Sequence, residues 1–129
     1  MPEAFAQPGA GSLSFLPNFH VIGFINNFLS NLYAGLRCAV LQDAGSTLLT
    51  PQLLFEACVD LRPVLIDSVP VMVEGLLQRL EAGHTSAEER AALAKVHAVM
   101  AGGCQLNQEL LVRATGPYQP RTVLSWYVR

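Results

Sequence analysis

The sequence predicts an α/β fold, with a layered, mainly parallel sheet and flanking helices. Short apolar segments alternate along the chain with longer segments whose apolar residues recur at helical spacing. The short segments carry apolar residues on both faces, which is typical of strands that lie between two layers of helices. No internal repeat or linker interrupts the 129 residues, so they are expected to form a single domain.

The predicted elements follow from local signals. Five strands are predicted, over about residues 12–16, 38–41, 64–69, 96–101 and 122–127. Helices are predicted to begin near Asn18, Thr50, Val71, Ser86 and Asn107. Thr50 is predicted to cap the second helix, with Pro51 as the first helical residue. Glu89 lies three residues after Ser86, which predicts a capping box at the start of the fourth helix. Gly35 marks the end of the first helix.

Charged residues are scarce in this chain. Ten Asp or Glu and eight Lys or Arg make up 14% of it, and the first 36 positions hold one charged residue, Glu3. An ordinary soluble domain carries about a quarter. The net charge of −2 excludes the broad basic surface that nucleic-acid binding requires, and the hydrophobic content of 51% excludes low-complexity disorder.

The compartment is predicted from cysteines and targeting signals. Three cysteines with no C-x-x-C spacing favour reduced thiols in a cytoplasmic protein over a zinc or dithiol site. We expect no signal peptide at the N-terminus. Residues 15–41 are apolar, but His20 and the asparagines would be costly in hydrocarbon, so no membrane span is predicted. The apolar residues instead fall on one stripe of an amphipathic helix: Phe24, Ile25, Phe28, Leu29, Leu32 and Leu36.

The loops after the first and the fourth predicted strand are candidates for a binding site, because ligands of parallel sheets bind beyond the carboxyl ends of the strands. His20 follows the first predicted strand, where it either gates a pocket or caps the helix. Gly102, Gly103 and Cys104 follow the fourth strand, where two glycines permit close backbone approach to a flat ligand or form an ordinary tight turn. The stripe of Met72, Val73, Leu76 and Leu77 on the third helix is core in one interpretation and pocket wall in the other.

Several catalytic motifs are missing from the sequence. There is no G-x-x-x-x-G-K-[ST], no G-x-G-x-x-G and no G-x-S-x-G. The one lysine, Lys95, lies far from any Gly-rich loop. The residues therefore do not outline a self-contained active site.

The order of segments resembles the adenylate-forming enzymes, the AMP-dependent synthetases and ligases. Residues 16–23 (LPNFHVIG) are similar to their L-P-x-F-H-x-x-G segment. Thr50-Pro51, a strand that ends in Val69-Pro70, and residues 102–106 (GGCQL), similar to G-G-A-x-L, follow in the family's order.

The resemblance implies an enzyme that uses ATP and Mg²⁺ to activate a carboxylic acid, with coenzyme A or a carrier thiol as acyl acceptor. By this resemblance His20, Gly102, Gly103 and Cys104 would bind the acyl substrate. Tyr127 would belong to the nucleotide site.

The sequence also departs from the family pattern. It shows no phosphate loop ending in lysine, no complete Y-G-x-T-E motif and no catalytic lysine, and Cys104 replaces the usual alanine. We therefore expect residues 1–129 to be one incomplete AMP-dependent synthetase domain that is inactive alone. As part of a larger domain, its poorly charged beginning would be covered by neighbouring layers, and alone it would expose an apolar patch. A stand-alone non-catalytic α/β module and a truncated partner of a full-length ligase are the alternatives.

Overall fold

The sheet confirms the predicted α/β class. A computed structural model of the chain describes residues 3, 6–16, 18–41, 50–102, 107–114 and, for the backbone, 122–125. The strands are Gly11–Ser14 (β1), Arg37–Val40 (β2), Leu65–Ser68 (β3), Ala98–Ala101 (β4) and Thr122–Ser125 (β5). They form one sheet in the order β2-β1-β3-β4-β5, and every neighbouring pair is parallel.

Helices connect the strands. They are Val21–Phe24 (α1), Asn31–Ala34 (α2), Pro51–Leu61 (α3), Pro70–Glu81 (α4), Ala87–Leu93 (α5) and Gln108–Ala114 (α6). Between α1 and α2 the backbone is π-helical over Ile25–Ser30. These three stretches continue one another, and we call residues 21–34 the asparagine helix.

The predicted helix ends are confirmed where the signal is local. Thr50 caps α3, which begins at Pro51. The Thr50 hydroxyl oxygen accepts a hydrogen bond from the Leu53 amide at 3.3 Å. Ser86 and Glu89 form the predicted capping box, with bonds of 3.1 and 2.7 Å. Gly35 ends the asparagine helix with φ of 68°, a left-handed conformation that glycine adopts without a steric penalty.

The apolar core lies on one face of the sheet. Leu13, Ile66 and Val99 from the strands pack there against the inner sides of helices α3 to α6. The stripe of Met72, Val73, Leu76 and Leu77 is buried in this cluster, so these residues are core. Phe55 of α3 is the largest side chain that is fully buried.

The other face of the sheet is polar where the asparagine helix covers it. Ser12 and Ser14 of β1 and Asp67 of β3 are buried there under the asparagine helix, whose inward residues are Asn26, Asn27 and Asn31. We call these six side chains the polar layer. The helix is thus oriented opposite to an ordinary surface helix, which turns its apolar side to the core.

The apolar stripe of the asparagine helix faces outward, as expected of a chain that exposes an apolar patch. Phe24, Ile25, Phe28 and Leu29 are between 40% and 52% exposed, and Leu32 is 81% exposed. Tyr33 and the preceding Phe19 are each 93% exposed. We call these seven residues the outer stripe. Two of its rings, Phe24 and Phe28, stack with centroids 5.6 Å apart.

Candidate functional site

The strand order marks one edge of the sheet as the place for a ligand. The chain passes from β1 outward to β2, then returns to place β3 on the other side of β1. At this switch the connections leave in opposite directions, and in open parallel sheets ligands bind at the carboxyl ends of two such strands, here β1 and β3. The segments after β1, β3 and β4 all lie at that edge, because the strands are parallel.

His20 lies at this edge and caps the asparagine helix. Its backbone is extended (φ −89°, ψ 139°), and its Nδ1 accepts a hydrogen bond from the Ile22 amide at 3.3 Å. The cap of the helix that was predicted to begin near Asn18 is therefore His20, and the helix begins at Val21. The cap uses one ring nitrogen and leaves the side chain exposed, so it is compatible with the predicted position beside a pocket.

Gly102 lies directly after β4 and is buried. Its amide donates a hydrogen bond to the Ser68 carbonyl at the end of β3, at 3.1 Å. Gly102 and His20 thus belong to the same edge of the sheet, after β4 and β1, with β3 between these strands. Gly103, Cys104 and Tyr127 lie outside the described residues.

Hydrogen bonds of the polar layer join the asparagine helix to the sheet. The Ser12 hydroxyl donates to Asn31 Oδ1 at 2.8 Å, and Asn31 Nδ2 donates to the Asn26 carbonyl at 2.6 Å. The second bond spans five residues and lies across the π-helical turn. Since the apolar side of the helix faces outward, these polar contacts provide much of its attachment to the sheet.

Asn27 connects the helix to the segment that leads to His20. Its Nδ2 donates to the Leu16 carbonyl at 2.9 Å and to Asn18 Oδ1 at 2.7 Å. Its own Oδ1 is buried and has no hydrogen-bond partner among the described residues. A buried acceptor without a donor costs about 1–3 kcal/mol, so this amide favours the position of the segment at a cost to stability.

Asp67 is the ionisable group of the polar layer, and its side chain is only 1% exposed. Asn26 Nδ2 donates to its Oδ1 at 3.3 Å. Burial raises the pKa of the Asp67 carboxyl to about 6, although the bond from Asn26 opposes the rise. Burial also raises the pKa of the nearby Cys38 thiol; the hydrogen bond with Ser12 lowers it, and the charge of Asp67 adds to the rise.

The polar layer was not predicted from the sequence, although signals for it exist. Ser12 and Ser14 alternate with Leu13 along β1, and Asp67 interrupts an apolar strand. Asn26, Asn27 and Asn31 recur on one side of a helix that has no charged residue. Polar residues at matching positions on a strand and a helix indicate a buried hydrogen-bonded interface.

Two clefts open at the opposite edge of the sheet. One, of about 530 Å³, is lined by residues that include Val64, Lys95 and His97, just before β3 and β4. The other, of about 310 Å³, lies beside Gly11 and Arg37, where β1 and β2 begin. Because both are at the amino ends of the strands, they do not coincide with the edge that carries His20 and Gly102.

The described ranges offer neither a cluster of metal ligands nor a helix that could span a membrane. They contain no group of three or more His, Cys, Asp or Glu that could hold a metal ion. Within the same ranges, no helix has both the length and the apolar character needed to cross a bilayer.

Solved structures share this fold. The nonribosomal peptide synthetase FmoA3 superposes with a TM-score of 0.72 at 23% identity, over 98% of this chain and 13% of the synthetase. A malonyl-CoA ligase, in a complex with methylmalonyl-CoA and AMP, gives 0.70 at 23% identity, over 98% of this chain and 26% of the ligase. O-succinylbenzoate coenzyme A synthetase from Bacillus subtilis gives 0.67 at 20% identity, with coverages of 95% and 22%.

The chain thus spans about a quarter or less of these proteins. No curated protein matches the sequence. The sequence model of the AMP-binding enzyme family matches residues 1–127, which is nearly the whole chain. The chain therefore belongs to the AMP-binding enzyme family.

Proposed function

We propose that residues 1–129 form one partial domain of a cytoplasmic, ATP-dependent ligase that activates a carboxylic acid as an acyl-adenylate. The observation that carries this proposal is the family match over residues 1–127. In such a ligase the carboxylate displaces pyrophosphate from ATP. A thiol of coenzyme A or of a carrier then takes the acyl group and releases AMP.

The proposed role of this chain is to supply walls of the substrate site. His20 and Gly102 would contact the acyl group from the segments after β1 and β4, and Gly103 and Cys104 would continue that wall. Tyr127 would contribute to the nucleotide site. The support for this assignment is that the described members of the set, His20 and Gly102, lie at the carboxyl edge of the sheet.

The proposed chemistry requires donors that stabilise charge on the phosphates, and such donors are what this chain chiefly lacks among its described residues. Phosphoryl transfer needs groups that stabilise developing negative charge on the phosphate, and Mg²⁺ supplies much of that stabilisation where it is bound. Among the described residues no three or more His, Cys, Asp or Glu cluster, and Lys95 lies at the opposite edge of the sheet. We therefore assign to this chain the binding and orientation of substrate and no catalytic residue.

The 129-residue chain alone is expected to catalyse no adenylation. The measurement is ATP–pyrophosphate exchange with a panel of aliphatic and aromatic carboxylic acids, using a full-length malonyl-CoA ligase with its own acid as a positive control. The expected result is no acid-dependent exchange above the level without enzyme. Acid-dependent exchange by the purified chain would contradict the partial-domain proposal.

The coding sequence on both sides of this reading frame provides an independent test. A Ser/Thr/Gly-rich phosphate loop ending in lysine is expected upstream, and a Y-G-x-T-E motif downstream. Neither motif would be expected if the chain were instead a non-catalytic binding module. A truncated partner of a full-length ligase would show itself by co-purification with that ligase.

The outer stripe supports the proposal, because monomers rarely expose one contiguous apolar patch of this extent. In a larger domain these side chains would be covered by another layer. Leu32→Glu, at the 81% exposed position, is expected to reduce self-association and binding of an apolar dye by the isolated chain. Its free energy of unfolding should change by no more than about 0.5 kcal/mol.

The matched control is Val71→Glu, which places the same charge at a 73% exposed apolar residue of α4, away from the outer stripe. It should leave dye binding and sedimentation close to wild type. If both variants improved solubility equally, added charge alone would account for the effect. A monodisperse wild-type chain without dye binding would count against the partial-domain proposal.

A further inference from the structure

The asparagine helix covers a carboxyl group, and this arrangement links the position of the helix to a proton. Asp67 is 1% exposed because the helix lies above it, and the described hydrogen bond to its carboxylate comes from Asn26 of that helix. Asn26 belongs to the π-helical stretch Ile25–Ser30. Such stretches are rare and occur frequently at functional sites.

The asparagine helix is held to the sheet largely by polar contacts, so it is the element that can move away from the sheet. Its outer stripe is half-exposed or exposed, and its inner side contacts the sheet through amides and hydroxyls. If the helix lifts, water reaches Asp67 and the carboxylate regains its solvation. Helix opening is therefore favoured by the ionised carboxyl and opposed by the neutral one.

We propose that Asp67 is a positioning residue: loss of its proton loosens the asparagine helix from the sheet and shifts the segment that carries His20, whereas the protonated carboxyl lets the helix close. The effect on a bound acid or nucleotide rests on the proposed function. The motion of the helix does not.

Among the described residues, the side chains that surround Asp67 in the polar layer carry no charge. The polar layer contains uncharged Ser12 and Ser14 from β1 and uncharged asparagines from the helix, and Met100 of β4 is the strand neighbour of Asp67. Cys38 of β2 is the other titratable group near Asp67, and burial raises the pKa of its thiol above the ordinary value of 9.0. Within the polar layer, the charge that changes between pH 4 and pH 7 is that of Asp67.

The direction and size of the effect follow from linkage. The pKa of Asp67 is about 6 under the helix, against 3.8 for a free side chain. A carboxyl group whose pKa is raised in the closed form stabilises that form fully below the pKa of the free side chain. This stabilisation is lost as the pH rises through the pKa of the closed form. The equilibrium constant for opening should thus rise by about a hundredfold between pH 4 and pH 7.

Native-state hydrogen exchange of the full chain tests this proposal. Amides of residues 21–34 should exchange through a local opening with little denaturant dependence, whereas the amides of α4 require an opening with a strong one. After correction for intrinsic exchange, the local opening constant should rise by about a hundredfold between pH 4 and pH 7. In Asp67→Asn this rise should disappear while the local opening persists.

Two further variants separate positioning from general damage. Asn26→Ala removes the bond that lowers the pKa of Asp67, so the midpoint of the pH effect should move to higher pH. Asp60→Asn on α3, outside the polar layer, should keep the wild-type profile. The proposal is overturned if residues 21–34 exchange only with α4, if the wild type shows no pH effect, or if the effect survives in Asp67→Asn. None of these readouts requires adenylation, so they stand apart from the exchange assay of the proposed function.

Discussion

Phe55→Ala is expected to lower the free energy of unfolding by about 3–5 kcal/mol. Phe55 is 0% exposed and is the largest fully buried side chain, so its truncation leaves a cavity in the core between the sheet and α3 to α6. The guanidinium of Arg79 also lies over the ring, 5.0 Å from its centroid, and this contact would be lost. Chemical denaturation followed by circular dichroism measures the change.

This loss is large for a domain of ordinary stability, about 5–15 kcal/mol. Phe55→Leu, which retains most of the apolar volume, should cost clearly less. Val71→Ala, at an exposed position of α4, should stay within about 0.5 kcal/mol of wild type. Equal losses for Phe55→Ala and Val71→Ala would show that burial at Phe55 does not govern the stability of the core.

Asp67→Asn is expected to raise the free energy of unfolding at pH 7 by about 3 kcal/mol. Its folded pKa of about 6 lies above the ordinary 3.8, so the wild-type carboxyl is most favourable in its neutral form. Wild-type stability should therefore be highest below about pH 4 and fall until the pH passes about 6. An amide keeps an acceptor for Asn26 and carries no charge, so the variant should show no such fall.

Unfolding free energies at a series of pH values measure this difference. The gain of Asp67→Asn should be complete above about pH 6 and vanish below about pH 4. Asp67→Leu also removes the charge but leaves the Asn26 amide without its acceptor, so its gain at pH 7 should be smaller. A destabilised Asp67→Asn at pH 7 would contradict the conclusion that the buried carboxylate is costly.

The features that could be predicted from the sequence are governed by short-range rules. Thr50 and Pro51 specify the start of α3 within a few residues, and the capping box at Ser86 needs only Glu89 three residues away. Alternation of strands and helices was enough for the fold class, because parallel strands of this length require crossover helices. The placement of His20 and Gly102 at one edge follows from the same rule.

The remaining features depend on partners that are distant in the sequence. The Asn26–Asp67 bond joins residues 41 positions apart, and the Ser12–Asn31 bond joins residues 19 positions apart. Asn18 has the composition of a cap, yet His20 caps the helix while Asn18 accepts a hydrogen bond from Asn27. Helical periodicity identified the apolar stripe, but not which side of the helix would meet the sheet, because that choice depends on the serines and the aspartate beneath it.

The parallel sheet also determines the electric field at the edge that carries His20. Helices α1, α3 and α4 follow β1, β2 and β3, and each begins at that edge with no acidic residue in its first turn. Within these first turns, no carboxylate of the helix itself offsets the partial positive charge of its first amides. An anion that approaches this edge is repelled by the net charge of −2 at long range and attracted by the helix ends at short range. Salt screens the long-range repulsion beyond about 10 Å at 0.1 M ionic strength, and within that distance the helix ends determine how an anionic ligand is held.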